Sequence, residues 1–280
     1  MELDHEVEYK YWPHPADTVT IEEVVSDEEA TIQAFTDGCK QEQGVGAGAV
    51  IFKGSELVAK VQLKLDNRCS NNQAEQLAIL KALETIESLK SHINPRTATI
   101  FTDSRVPLDS LHNPNNHAHL AEEIRKKVTS MGTTNWKIKF SWVKAHAGVY
   151  GNEMTDRLAK EAARNDGNNY GLSRIPKSAI YYEAAEEAIQ KWQEQWAISP
   201  KAGATKQYFA TVIGQNRDKN YLTPKLTAVL SGHGKTRAYL YRFNLREEAK
   251  CICDKDDQTM DHLLFHCTKT STQRDFLNSN

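Results

Sequence analysis

The chain has 280 residues, of which 39% are hydrophobic and 26% charged, and its formal net charge is -2. That length allows one domain with a substantial core plus a smaller second unit. No apolar run approaches the ~18 residues that a membrane helix needs, and the acidic N-terminus lacks the apolar stretch of a secretory signal. The expectation is a globular intracellular protein, nuclear or cytoplasmic, not secreted and with no membrane partner.

Charge is unevenly spread. Residues 1–30 carry 1 Lys against 10 Asp and Glu, while residues 31–165 carry 18 Lys and Arg against 14 acids. An acidic leader thus hides a mildly basic remainder, which by itself is weak evidence for nucleic acid. Residues 1–30 show no helical or strand period and contain Pro13 and Pro15, so they read as a leader or linker. From Thr31 the pattern changes. TIQAFT reads as a strand, and Asp37-Gly38 as a turn after it. AGAVIF (47–52) and LVAKVQLKL (57–65), joined by a Gly-containing turn at 53–56, complete an antiparallel meander.

Ser70 is a good N-cap, and helical spacing runs from there to about Lys90. TATIFT (97–102) reads as a buried strand, 117–131 as a helix, KIKFSWV (137–143) as a strand and Asn152–Ala163 as a helix. This order predicts an α/β domain over 31–165, with a mixed five-stranded sheet flanked by helices. Residues 166–176, rich in Asn, Gly and Pro, read as a linker. Residues 177–245 read as a helical region, and 246–280 as a small Cys/His unit with its tail.

Four acids stand where such a fold brings strand ends and helix starts to one rim: Asp37, Glu75, Asp103 and Asp156. Each alone has an ordinary explanation: a turn, a solvated helix charge, an N-cap, a surface acid. As a set they cannot all stay ionised side by side without cations. Hard oxygen ligands suit Mg²⁺ or Mn²⁺, and two such ions can run an in-line phosphoryl displacement.

The motifs that hold these acids are TDG at 36–38, SNNQAE at 70–75, TDS at 102–104 and WVKAHAGVYGNEMTDRLAKEAA at 142–163. Together they resemble type 1 ribonuclease H, over about 31–165. The resemblance implies the ribonuclease H fold and cleavage of the RNA strand of an RNA–DNA hybrid with two Mg²⁺ (or Mn²⁺). It implies Asp37, Glu75, Asp103 and Asp156 as the metal tetrad. His146 corresponds to the family's mobile-loop histidine, which assists proton movement or product release. Gly38, Cys39, Asn72, Gln73, Arg105 and Asn152 become the candidate substrate contacts, with Asn72 at the position that meets RNA 2′-hydroxyls. Cys39 replaces the usual serine, Ala145 the frequent glycine before the histidine, and Arg105 a neutral residue. None of these departures removes a metal ligand.

The five cysteines do not read as a disulfide framework, because three of them cluster with histidine near the C-terminus. The spacing Cys251-x-Cys253-x(8)-His262-x(4)-Cys267 offers three thiolates and an imidazole, a set suited to tetrahedral Zn²⁺. The C-x-C pair is tighter than usual, and His266 competes with His262 on sequence grounds. GHGKTRAYLYRF followed by C-x-C and QTMDHLLFHC resembles the C-terminal zinc knuckle of non-long-terminal-repeat retrotransposon polyproteins. With WPHPAD near the start, the insect type that inserts into ribosomal DNA fits best. The resemblance implies the tail of a polyprotein, or a gene derived from one, with the knuckle as a candidate contact for other nucleic acid. The competing class is a non-catalytic nucleic-acid-binding relic, and four intact acids argue against it. A structural role through 177–245 finds little support either way, and the sequence does not set an oligomeric state.

Overall fold

The long strand β3 (Ile32–Gln41) pairs antiparallel with β4 (Gly44–Lys53), and β4 with β5 (Glu56–Leu65). The structure is a computed structural model. It describes residues 2–4, 6, 14–22, 30–89, 95–165, 170–200, 203–212 and 223–278. They fall into two units, 1–183 and 184–280.

In the first unit, alternation along β3 sends Ile32 and Ala34 to one face and Phe35 to the other. Helix α1 (Asn71–Ser88) starts with a capping box, in which Ser70 Oγ accepts from Gln73 N–H and Gln73 reaches back to the Ser70 amide. Strand β6 (Thr97–Thr102) lies parallel to β3, and β7 (Lys137–Trp142) parallel to β6. Helices α2 (Arg105–His112) and α3 (His119–Thr133) connect β6 to β7, and α4 (Tyr150–Arg164) follows β7. The main core joins one sheet face to α1 and α3, around Ile79, Leu83, Ile100, Ile124 and Phe140. A smaller cluster, Phe35, Val50, Phe52, Phe101 and Met154, fills the other face beneath α4. Glycine in β4 makes that packing possible, since a Cβ on Gly46 would lie within contact distance of the Ala159 carbonyl and the Ala163 amide of α4.

The α/β class and the mixed sheet flanked by helices stand as expected. Three details differ. The sheet has six strands, in the order β2–β7–β6–β3–β4–β5, because Thr20–Glu22 of the expected leader forms β2 parallel to β7. Three residues are too short to carry a period, so no sequence pattern marks them. Second, β1 (Glu2–Leu3) pairs with β8 (Arg174–Ile175), inside the expected linker, and the Asp66 amide donates to the Leu172 carbonyl (3.0 Å). The described parts of both supposed connectors are thus bonded to the domain. Third, a second helix, α2, precedes α3.

The second unit holds most of helix α5 (Lys177–Ile198), which has no buried residue. It also holds the short helices Gly203–Tyr208, Pro224–Ser231 and Arg237–Arg242 and the Cys/His segment. Trp196 Nε1 donates to the Phe209 carbonyl (3.1 Å). No described helix is long and apolar enough to cross a membrane.

Candidate active site

Asp37 does not end its strand, and Asp37-Gly38 is not a turn. β3 runs on to Gln41, but its parallel partner β6 leaves it after the pair Thr36–Thr102. Asp37 and Asp103 are the next residue of each chain, so both acids stand where two parallel strands part. Gly38 is required by the helix opposite, because a Cβ there would lie 2.5 Å from the Glu75 amide nitrogen and 2.9 Å from Ala74. Without that side chain, the first turns of α1 come close enough for Glu75 to join the pair.

Ligand oxygens of Asp37, Glu75 and Asp103 all lie within 4.8 Å of one another. Asp37 is 7% exposed and Glu75 4%. Burial, with Asp103 and Asp156 nearby, raises Asp37 from 3.8 to about 7. Burial, with Asp37 and Asp103, raises Glu75 from 4.5 to about 9. The nearby Gly38 amide opposes both shifts by favouring the charged carboxylates. Asn71 Nδ2 donates to Glu75 Oε1 (3.4 Å), whereas Glu75 Oε2 is buried with no hydrogen-bond partner. A buried carboxylate oxygen facing two other acids is the arrangement a divalent cation would complete.

Asp156 stands outside this trio. Its Oδ2 accepts from Lys160 Nζ at 2.8 Å, one helical turn along α4. Asp103 is held from two sides: Trp142 Nε1 donates to its carbonyl (2.9 Å), and Asn152 Nδ2 donates to its Oδ2 (3.2 Å). Asn152 is 3% exposed, with its amide nitrogen engaged by Asp103. Gln73 is buried in the capping box, and its Nε2 donates to Asp4 Oδ2 (2.8 Å) and the Arg174 carbonyl (3.0 Å).

Asn72 is half-buried, with its Oδ1 buried and without a hydrogen-bond partner. Cys39 is half-buried beside Asp37, and burial pushes its thiol up. The Arg105 guanidinium lies over the Trp142 ring, 4.4 Å from its centroid. His146 is exposed on the loop after β7, with a positive φ of 52°, and Gly148 follows at 78°. Sequence reasoning passed over Asn71, Trp142 and Lys160. The i, i+4 spacings Asn71–Glu75 and Asp156–Lys160 were the available signals.

In the second unit, ligand atoms of Cys251, Cys253, His262 and Cys267 lie within 4.8 Å of one another. The sulfurs of Cys251 and Cys267 are 3.7 Å apart, close to the ~3.8 Å that two Zn–S bonds at a tetrahedral angle would span. Cys253 Sγ lies 3.1 Å from His262 Nε2, and its thiol is held below the ordinary range by the Lys255 amide and by His262. The tight C-x-C is accommodated by a turn: the Asp254 amide donates to the Cys251 carbonyl, and Asp254 adopts φ 59°. His262 is 4% exposed and falls within the cluster, whereas His266 faces solvent and Asp261 (3.5 Å).

A third group, His14, His117 and Glu122, also falls within 4.8 Å. Here the Ala16 amide donates to His14 Nδ1 (3.1 Å), so a neutral ring carries its proton on Nε2 and offers no second lone pair. Glu122 pairs with the fully buried Arg125 (2.8 Å) and with His117 (3.2 Å). The group is a polar anchor for the segment that leads into β2.

Residues 29–164 match the family model described as RNase H, and the chain belongs to the ribonuclease H family. It is 33% identical over 144 residues to the "Ribonuclease H" of Campylobacter jejuni, which covers 47% of this chain and 90% of that protein. It is 28% identical over 126 residues to the "Retrovirus-related Pol polyprotein from type-1 retrotransposable element R1 2" of Nasonia vitripennis, covering 45% of this chain and 28% of that polyprotein. The R1 polyprotein of Popillia japonica is 24% identical over 209 residues, 72% of this chain and 77% of that protein. This chain therefore spans little more than a quarter of the Nasonia polyprotein's length.

Proposed function

We propose that this chain hydrolyses the RNA strand of RNA–DNA hybrids, as a step in the reverse transcription of an R1-like retrotransposon. The observation that carries the reading is the buried trio Asp37, Glu75 and Asp103, with the raised pKa values of Asp37 and Glu75 and the orphaned Glu75 Oε2. Such a cluster wants positive charge, and the family match supplies the chemistry that uses it. Asp37, Glu75, Asp103 and Asp156 would hold two Mg²⁺ or Mn²⁺. When bound, these ions supply the charge that activates a water and stabilises the leaving oxygen of an in-line displacement.

The chain's own groups do the rest. Asn152 and Trp142 hold Asp103 in its orientation. Asn72, half-buried at the first turn of α1, stands where the family resemblance implies a contact to a ribose 2′-hydroxyl, the group that separates RNA from DNA. Of the two residues expected to meet the minor groove, Gly38 is buried against α1 and Cys39 is half-buried. Arg105, exposed over Trp142, meets the phosphate backbone. His146, on its exposed loop, moves protons or eases product release. Cys251, Cys253, His262 and Cys267 would hold a structural Zn²⁺, making the knuckle a second contact for nucleic acid.

The test is cleavage of a labelled RNA–DNA hybrid in Mg²⁺, Mn²⁺ and EDTA, with duplex RNA and single-stranded RNA as controls. Cutting of the hybrid alone, lost in EDTA, is expected. Folded protein that binds the hybrid and cuts in neither metal would overturn the reading in favour of a non-catalytic binding module.

A further inference from the structure

Three observations about Asp156 belong together. It is the one acid of the tetrad outside the 4.8 Å cluster. Its carboxylate is engaged by Lys160 at 2.8 Å. The helix that carries it packs on the sheet immediately before it. Thr155 Oγ1 donates to the Gly151 carbonyl (2.7 Å) and reaches the Phe35 carbonyl of β3 (3.4 Å). A Cβ on Gly151 would lie inside the Phe35 ring's contact distance, so the helix has no room to slide. Whether Asp156 faces the cluster is therefore a matter of its side-chain rotamer, and Lys160 holds that side chain.

We propose that Lys160 is a positioning residue: it serves as an exchangeable counter-ion that occupies Asp156 until the second divalent cation displaces it. The inference rests on the metal-site reading above. Charge balance supports it. Four carboxylates are matched by two divalent ions, so with both bound the Lys160 ammonium is in surplus at Asp156. With fewer cations, the ammonium is the nearest positive charge that can stand in. The pair is partly exposed, with side chains 38% and 25% accessible for Lys160 and Asp156, which makes it weak enough to exchange. A lysine suits this role, because its ammonium is a mobile point charge on a flexible stem.

The experiment is Mn²⁺ titration of the full chain by calorimetry, for wild type, Lys160→Gln, Lys160→Arg and Asp37→Asn. The expected result is two binding events in wild type. In Lys160→Gln the weaker event should tighten about tenfold and the stronger change little. Lys160→Arg should restore the wild-type pattern. The Mn²⁺ concentration at half-maximal cleavage should fall in parallel for Lys160→Gln. An equal shift of both events, or none, would overturn the inference, since a generic field acts on both ions. Failure of the metal site looks different: wild type would bind no Mn²⁺, or Asp37→Asn would bind it unchanged.

Discussion

The carboxylate cluster and the thiolate cluster are built by opposite means. Asp37, Glu75 and Asp103 are carried by two long strands and a capped helix over a large core, so the fold forces like charges together and buries them. Cys251, Cys253, His262 and Cys267 sit on turns and a five-residue π-helix, in a unit where few side chains are buried. In the first unit, core packing pays for the site. In the second, a bound metal would be the stronger source of order, since apparent zinc binding of ~10–16 kcal/mol in small domains acts as folding free energy. Metal removal should therefore spare one region's fold and dismantle the other's.

The largest effect should follow from breaking the thiolate set. Cys253→Ser combined with Cys267→Ser should release one zinc per chain, measured by metal analysis. The 246–278 segment should become sensitive to protease, while hybrid cleavage stays within about twofold. Unchanged protease resistance would erase the contrast between the regions. Asp37→Asn should lower hybrid cleavage ~10³-fold. It should nonetheless raise the melting temperature of metal-free protein at pH 8, because it removes a buried acid that resists ionising.

The pH dependence sharpens the same point. Asp37 and Glu75 are raised in the folded state, to about 7 and about 9. The folded state then holds protons that the unfolded state gives up. Their stabilisation is fully present below about pH 4 and is lost as pH rises through 7 towards 9. Metal-free protein should thus lose several kcal/mol across that window, read from urea midpoints. Because cation binding releases those protons, added Mg²⁺ should raise the melting temperature more at pH 8 than at pH 6. An equal Mg²⁺ effect at both values would count against cation binding at these acids.

Gly38→Ala should cost about 1–3 kcal/mol, since its Cβ would press on the α1 backbone and push Glu75 away. Cleavage should fall further than stability alone explains. The smallest effect is His146→Ala, with turnover about tenfold slower and the melting temperature unchanged, as suits an exposed loop residue.

The amino-acid sequence by itself determined the longer helices and strands and singled out the four candidate acids. Helical and strand periods, the Ser70 cap and the spacing of the four motifs are local, and local patterns are legible without a fold. It also located the Cys/His set, because ligand chemistry leaves few other residue types to choose from. Only the tertiary structure decided which groups face which. That Asp37 stands beside Asp103 follows from where β6 stops accompanying β3, a pairing across more than sixty residues. That Gln73 holds Asp4, that Asn152 orients Asp103, and that Thr20–Glu22 completes the sheet are all partnerships between distant segments. The choice of His262 over His266 turns on burial. Periodicity and propensity report a few neighbouring residues, whereas a site is made of contacts whose sequence separation carries no local signal.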